Sequence, residues 1–236
     1  AATKVPDQGP PAGLSVSLPG GTQTNTPLPQ NSVQKPITMA MPDFNRALVF
    51  TTPLTDEVKA QIRVRFAEAV SNLKKNSRSF ADWLNLGIIR KTIGDYEGAR
   101  QAWEYAGAVS PLNYVSFSNL GDLFHYYLKD YPKAEENLKQ AIKNEPSDIA
   151  AYRSLSDLYT QSYKEKMSEA PKVLSSGLAK NPGNYDLLML MASYYKTIGD
   201  KANAKIYYEK ALAAADKAGM SAFKQSIENE IANLSQ

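Results

Sequence analysis

Asp122 and Asp157 stand 35 positions apart, and His125 lies one helical turn beyond the first of them. These are the side chains whose types could do chemistry. His125 is the sole histidine, and the chain has no cysteine, so neither a second imidazole nor a thiolate can share a metal with it. A histidine that activates a hydroxyl needs a serine or threonine beside it, and no Gly-x-Ser-x-Gly elbow occurs. The glycines Gly87, Gly94 and Gly98 read as turn and packing residues and do not form a phosphate loop. The residues therefore predict no catalytic group, no metal and no cofactor. Two carboxylates in register still have one use: a stripe of negative charge suits a lysine or arginine carried by a partner.

Composition narrows the classes further. The chain has 236 residues, is 43% hydrophobic and 22% charged, and carries a net charge of +3. That balance is ordinary for a globular protein and too even to argue for nucleic acid. No apolar run approaches the ~20 residues that a membrane-spanning helix needs. The absence of cysteine suits an exported protein. With the start Ala1-Ala-Thr and no methionine, it favours an extracellular or cell-surface location over the cytoplasm.

The elements that position these residues recur. Trp83, Leu86, Gly87, Ala99, Trp103, Ala106 and Pro111 are followed by Phe117, Leu120, Gly121, Phe124, Ala134, Leu138, Ala141 and Pro146. A third set runs Tyr152, Leu155, Ser156, Tyr159, Ala170, Leu174, Gly177, Pro182. The fourth runs Leu188, Met191, Ala192, Tyr195, Ala204, Tyr208, Ala211, with Asp216 where the proline would stand. The small residues mark where two helices cross closely, and the prolines end second helices. The turn KTIGD occurs at Lys91–Asp95 and again at Lys196–Asp200. The pattern resembles the tetratricopeptide repeat, a 34-residue helix–turn–helix unit. Spacings of 35, 36 and 34 from Ala99 through Ala134 and Ala170 to Ala204 place extra residues in turns near 129–130 and 163–168.

The resemblance implies an all-α, right-handed helical solenoid. Its repeats span 80–113, 114–148, 149–184 and 185–218, within a domain of residues 54–236. Helices are predicted over 80–92, 96–109, 114–128, 131–144, 148–163, 169–180, 184–197 and 201–215. A leading helix at 55–76 and a capping helix at 221–234 would shield the ends of the array. In such proteins the first helices line a concave groove that holds peptides. The groove candidates implied here are Asn119, Asp122, His125, Tyr126, Arg153, Asp157 and Met189. Family members that grip a C-terminal carboxylate use lysine, asparagine and arginine from successive repeats. Only Asn119 matches, while Leu84, Ile88, Ala150 and Ser154 are neutral, so that use is rejected. Tyr105, Tyr114, Tyr126, Tyr127, Tyr163 and Tyr207 fall off the packing pattern and are expected at the surface.

Residues 1–53 differ from the rest. They hold most of the 14 prolines and read as an extended Pro/Gly-rich arm. Three short apolar pieces within it look like anchors: Leu14, Val16 and Leu18; Ile37, Met39 and Met41; and Leu48 with Phe50. Each is expected as a short strand or extended peptide that needs a partner. The expectation is a non-enzymatic structural protein whose arm lies on a neighbouring copy, giving filament-like assembly. The alternatives are a monomeric adaptor that binds a peptide in its groove, or a recruiting fragment of a longer enzyme.

Overall fold

The computed structural model describes residues 37–234, so the anchor at Leu14, Val16 and Leu18 lies outside the described residues. The chain divides into two compact units, residues 1–40 and 41–236. Residues 41–53, grouped with the arm on composition, thus belong with the helices. Of the first unit, Ile37–Ala40 are described and have no strand pairing, with Met39 exposed.

The second unit is all-helical among the described residues. The α-helices are α1 (Asp56–Lys75), α2 (Phe80–Thr92), α3 (Tyr96–Val109), α4 (Val115–Leu123) and α5 (Tyr131–Asn144). They continue as α6 (Ile149–Asp157), α7 (Ala170–Lys180), α8 (Tyr185–Thr197), α9 (Lys201–Lys217) and α10 (Ser221–Leu234). Short polar side chains start them: Ser79, Asp95, Asp130, Asn184 and Asp200 each accept a hydrogen bond from a backbone N–H of the first turn. The repeated KTIGD turn places Gly94 and Gly199 at φ of 83° and 80°, a left-handed backbone that favours glycine.

Consecutive helices pair as antiparallel hairpins, α2 with α3 through α8 with α9, and each hairpin stacks on the next. The packing depends on one small residue per hairpin. A Cβ on Gly87 would fall inside the Trp103 ring, and one on Gly121 would strike the Leu138 side chain. Ala99, Ala134, Ala170 and Ala204 are fully buried at the matching place on the second helices. Both indoles keep a partner: Trp83 Nε1 donates to Ser77 O at 2.8 Å and Trp103 Nε1 to Leu84 O at 3.0 Å. Tyr105, expected at the surface, is buried against Trp83 with ring centroids 4.7 Å apart. Its place on α3 faces Trp83 of α2, the helix it packs against most closely.

The extra residues of the second and third repeats, expected in turns near 129–130 and 163–168, are taken up partly in a turn at the second of these places and partly in widened helical turns. Phe124–Leu128 and Leu158–Ser162 are π-helical turns that extend α4 and α6, and Lys164–Glu169 is a 3₁₀ turn. The π geometry lets an added residue stay helical by widening one turn. Lys129, at φ 55°, then ends the first of them. The 3₁₀ turn is tied down by Glu135 of α5, which is buried and accepts from Tyr159 Oη, Lys139 Nζ and Lys166 Nζ.

This packing can be tested at two residues. Alanine ordinarily stabilises a helix interior by about 1 kcal/mol over glycine. Gly87→Ala is instead expected to destabilise the protein by about 1–3 kcal/mol, the usual cost of overpacking, read as a lower urea midpoint. A rise in the midpoint would mean the hairpin crossing is not tight. Burial alone would raise the Glu135 carboxyl, but hydrogen bonds from Lys139, Lys166 and Tyr159 outweigh it and hold the group down to about 2. Its contribution is therefore complete above the ordinary carboxylate range and lost as pH falls from about 5 toward 2. Glu135→Gln should flatten the fall in Tm over that window.

Candidate functional site

The first helices of neighbouring hairpins touch, α4 with α6 and α6 with α8, so their outward residues share one face. Asp122, at the end of α4, and Asp157, at the end of α6, occupy corresponding places on it. Each precedes its π turn by one or two residues. Asp122 is half-buried; burial raises its carboxyl, while a hydrogen bond from Ser154 and the nearby Lys91 ammonium oppose the shift. Its Oδ1 is buried and has no hydrogen-bond partner. Asp157 is also half-buried, and burial pushes it up to about 6, with Arg153 opposing and the Asp122 charge adding. The Tyr126 hydroxyl is raised by burial and then by the negative charge of Asp157 and Asp122.

Four of the seven groove candidates are thus within electrostatic reach of one another: Asp122, Tyr126, Arg153 and Asp157. Arg153 is exposed, with its Nη1 3.9 Å from Asp186 Oδ2, and its charge opposes the effect of burial on Asp157. Asn119 is half-buried on α4 beside this group. Met189 is drawn away, packing against the carboxyl-terminal cluster of Ala192, Tyr208, Ala215 and Ile227.

His125 does not reach the face. It is 1% exposed, lies within the first π turn, and stacks on Tyr126 with centroids 3.9 Å apart. Its Nε2 is 2.9 Å from Ser162 Oγ in the second π turn. Burial, with a smaller push from Lys129, lowers its pKa to about 4, so the ring is neutral at pH 7. A serine beside a histidine is the start of a nucleophile, but this imidazole is sealed from solvent and its Nδ1 has no carboxylate to orient it. Among the described residues, no group of three or more histidine, aspartate or glutamate side chains is gathered as metal ligands.

Two contributors to the face lie outside the groove candidates. Lys91, from the KTIGD turn, packs over the Tyr127 ring at 5.1 Å, and burial followed by the Asp122 charge sets its pKa, lowered overall. Ser154 enters the sequence reading only as a neutral clamp position. The spacing of Lys91 and Asp122 in neighbouring first helices carries a signal for the first; nothing in the letters marks the second.

The arm residues Leu48 and Phe50 are found on their own domain. With Leu54 they pack against Ile62 and Phe66 of α1, Ile89 of α2 and the following Ile93. Met41 is exposed. No helix among the described residues is long and apolar enough to cross a membrane.

Residues 185–217 match the family model described as tetratricopeptide repeat. No curated protein matches this sequence. Several solved structures share the fold. A crystal structure of MamA is 17% identical with a TM-score of 0.58, covering 72% of this chain and 99% of its own. PilF of Pseudomonas aeruginosa is 16% identical with a TM-score of 0.55, covering 75% of this chain and 86% of its own. YrrB, described as "a TPR protein with an unusual peptide-binding site", is 16% identical with a TM-score of 0.53, covering 72% and 86%.

The raised Asp157 carboxyl has a measurable consequence. Folded Asp157 keeps its proton up to about pH 6, whereas an unfolded aspartate loses it near ~4, so stability is drawn down as pH rises between the two. Asp157→Asn is expected to raise the free energy of unfolding at pH 7 by about 1 kcal/mol, with the gain vanishing near pH 4. An equal effect at both pH values would show that the carboxylate is not held in a desolvated site.

Proposed function

From the premise that this chain is a tetratricopeptide-repeat protein, we propose that it is a non-catalytic scaffold that holds an extended partner segment on the shared face of α2, α4, α6 and α8. A lysine or arginine of that segment sits between Asp122 and Asp157. One observation carries the reading: a buried carboxylate oxygen on Asp122 without a partner, beside a second carboxylate under the same desolvation. An unpaired buried acceptor costs about 1–3 kcal/mol, and a ligand cation against the accessible side of the two half-buried aspartates would offset that cost through its charge. The protein thus carries a local destabilisation that binding relieves. Tyr126 offers a flat apolar surface for the stem of the incoming side chain. The neutral, buried His125 supports a structural use in place of a chemical one. The unusual peptide-binding site that the description of YrrB gives to that protein, on the same fold, adds support.

An array of extended peptides read against the full chain tests this. Strong binders should contain lysine or arginine, and replacing that residue by the uncharged norleucine should weaken binding at least tenfold. Asp122→Asn with Asp157→Asn should do the same and remove the salt dependence. Binders without a basic residue, or binders untouched by the double variant, would overturn it.

Self-association is a second reading, favoured by the exposed apolar side chains of Met39 (43%), Met41 (47%) and Val49 (66%). The cysteine-free composition supports an exported setting for it. Light scattering of the full chain should then show a mass that grows with concentration; a constant monomer mass would remove the reading.

A further inference from the structure

The fourth repeat carries Asp216 where the first three carry Pro111, Pro146 and Pro182, and its second helix runs on past that point. α9 has 17 residues, against 13 in α8 and 11 in α7, so its last turn passes beside the turn that joins those two helices. A cleft of about 920 Å³ opens there between α7 and α9. Leu178 of α7 and Leu188 of α8 give it an apolar lining, and Ala213 and Ala214 of α9 leave space that larger side chains would fill. Gly183, in the joining turn, has nothing within 4 Å of where a Cβ would stand, so that end is open. Two cations border the cleft. Lys210 and Lys217 are exposed and lie seven residues apart, which is two turns and about 10 Å along one side of the helix. Lys210 Nζ rests over the Tyr207 ring, 4.7 Å from its centroid, which holds that charge at the rim.

Charge around the cleft is one-sided, since none of its lining residues is acidic. Asp216, in the same last turn, is taken by Lys224 of α10 at 2.9 Å. Among the described residues neither Lys210 nor Lys217 has a carboxylate partner. A phosphate backbone or a membrane surface would meet these lysines but leave the recessed Leu178 and Leu188 uncovered. A helix meets both. Residues seven apart on a helix share one side at the same spacing of about 10 Å, with the positions three and four further on lying between them. We propose that this cleft docks an amphipathic helix of a partner protein, with Asp or Glu at two positions seven apart and a bulky aliphatic residue between them. The carboxylates pair with Lys210 and Lys217, and the aliphatic side chain enters beside Leu178 and Leu188, over Ala214. This is the helix-in-groove mode, in which an apolar anchor supplies affinity and the flanking charges set orientation. Second helices line the cleft, whereas first helices build the Asp122–Asp157 face, so the two sites are separate and one chain can hold two partners.

The test is a library of helical peptides of about 16 residues, since shorter ones are marginal helices in water, read against the full chain. Two positions seven apart and the two between them are randomised. Enriched peptides should carry Asp or Glu at both outer positions and Leu, Ile or Met between. Lys210→Glu with Lys217→Glu should weaken the best peptide at least tenfold, and placing lysine at both outer positions of the peptide should restore binding to that variant. Ser175→Trp, at an exposed position, fills the cleft from α7 and should weaken binding as much. Asp122→Asn with Asp157→Asn should leave it unchanged; a loss there would move the peptide to the shared face and overturn the cleft. Enriched peptides without the acidic pair, binding that survives the cleft variants, or no enrichment at all also overturns the proposal. So does a chain that ignores the peptides and binds phosphatidylglycerol vesicles through the two lysines, which would make the cleft a lipid contact.

Discussion

The close crossing of two helices inside each hairpin is the constraint on which the rest depends. At Gly87 the backbone of α2 lies against the Trp103 ring, and at Gly121 that of α4 lies against Leu138. This contact sets how far apart the helices of a hairpin stand, and hence where the first helices of neighbouring hairpins meet. The shared face of α4 and α6 exists because those crossings are tight. Asp122 and Asp157 face the same microenvironment only because their repeats are stacked in step. A loosened crossing would move the two carboxylates apart before it unfolded anything.

The ends of the array obey the same logic with different material. At the carboxyl end α10 buries Ile227 against α9, an ordinary helical cap. At the amino end α1 covers only part of α2. The remaining gap over Ile89 and Ile93 is filled by residues 46–52, whose backbone is satisfied by Arg90 and Ile93 O. A buried arginine at that position solves a problem that a helix would not create, since an extended chain brings carbonyls that need donors.

Helix positions were legible because each repeat states them several times over: small residue, apolar stripe, capping residue, terminating proline. Among the described residues, the α-helices of the first and last hairpins begin and end within a few residues of their expected places. What the letters concealed were features written once. Arg90 stands seven residues after Trp83 and four after Leu86, squarely on the apolar stripe of α2, and a charge there is a sign of an unseen polar partner. The burial of His125 and Tyr105 was hidden because each depends on a neighbouring element closing over it. Of the site, the paired aspartates were visible from repeat register alone. Their desolvation was not, since burial is a property of the stack and never of a single repeat.

The π turns at Phe124–Leu128 and Leu158–Ser162 give this fold a way to vary that ordinary substitution lacks. They sit downstream of the crossing residues Gly121 and Ser156, so the added residue leaves the hairpin packing in register. Each residue of an α-helix advances about 100° around the axis. Removing one residue between Asp122 and Tyr126 would restore a plain helix and turn Tyr126 from the shared face by about that angle, while Asp122 stayed in place. Change by insertion or deletion at this point would thus re-cut the shared face in a single genetic step, at the cost of repacking Phe124 and His125, which the turn buries.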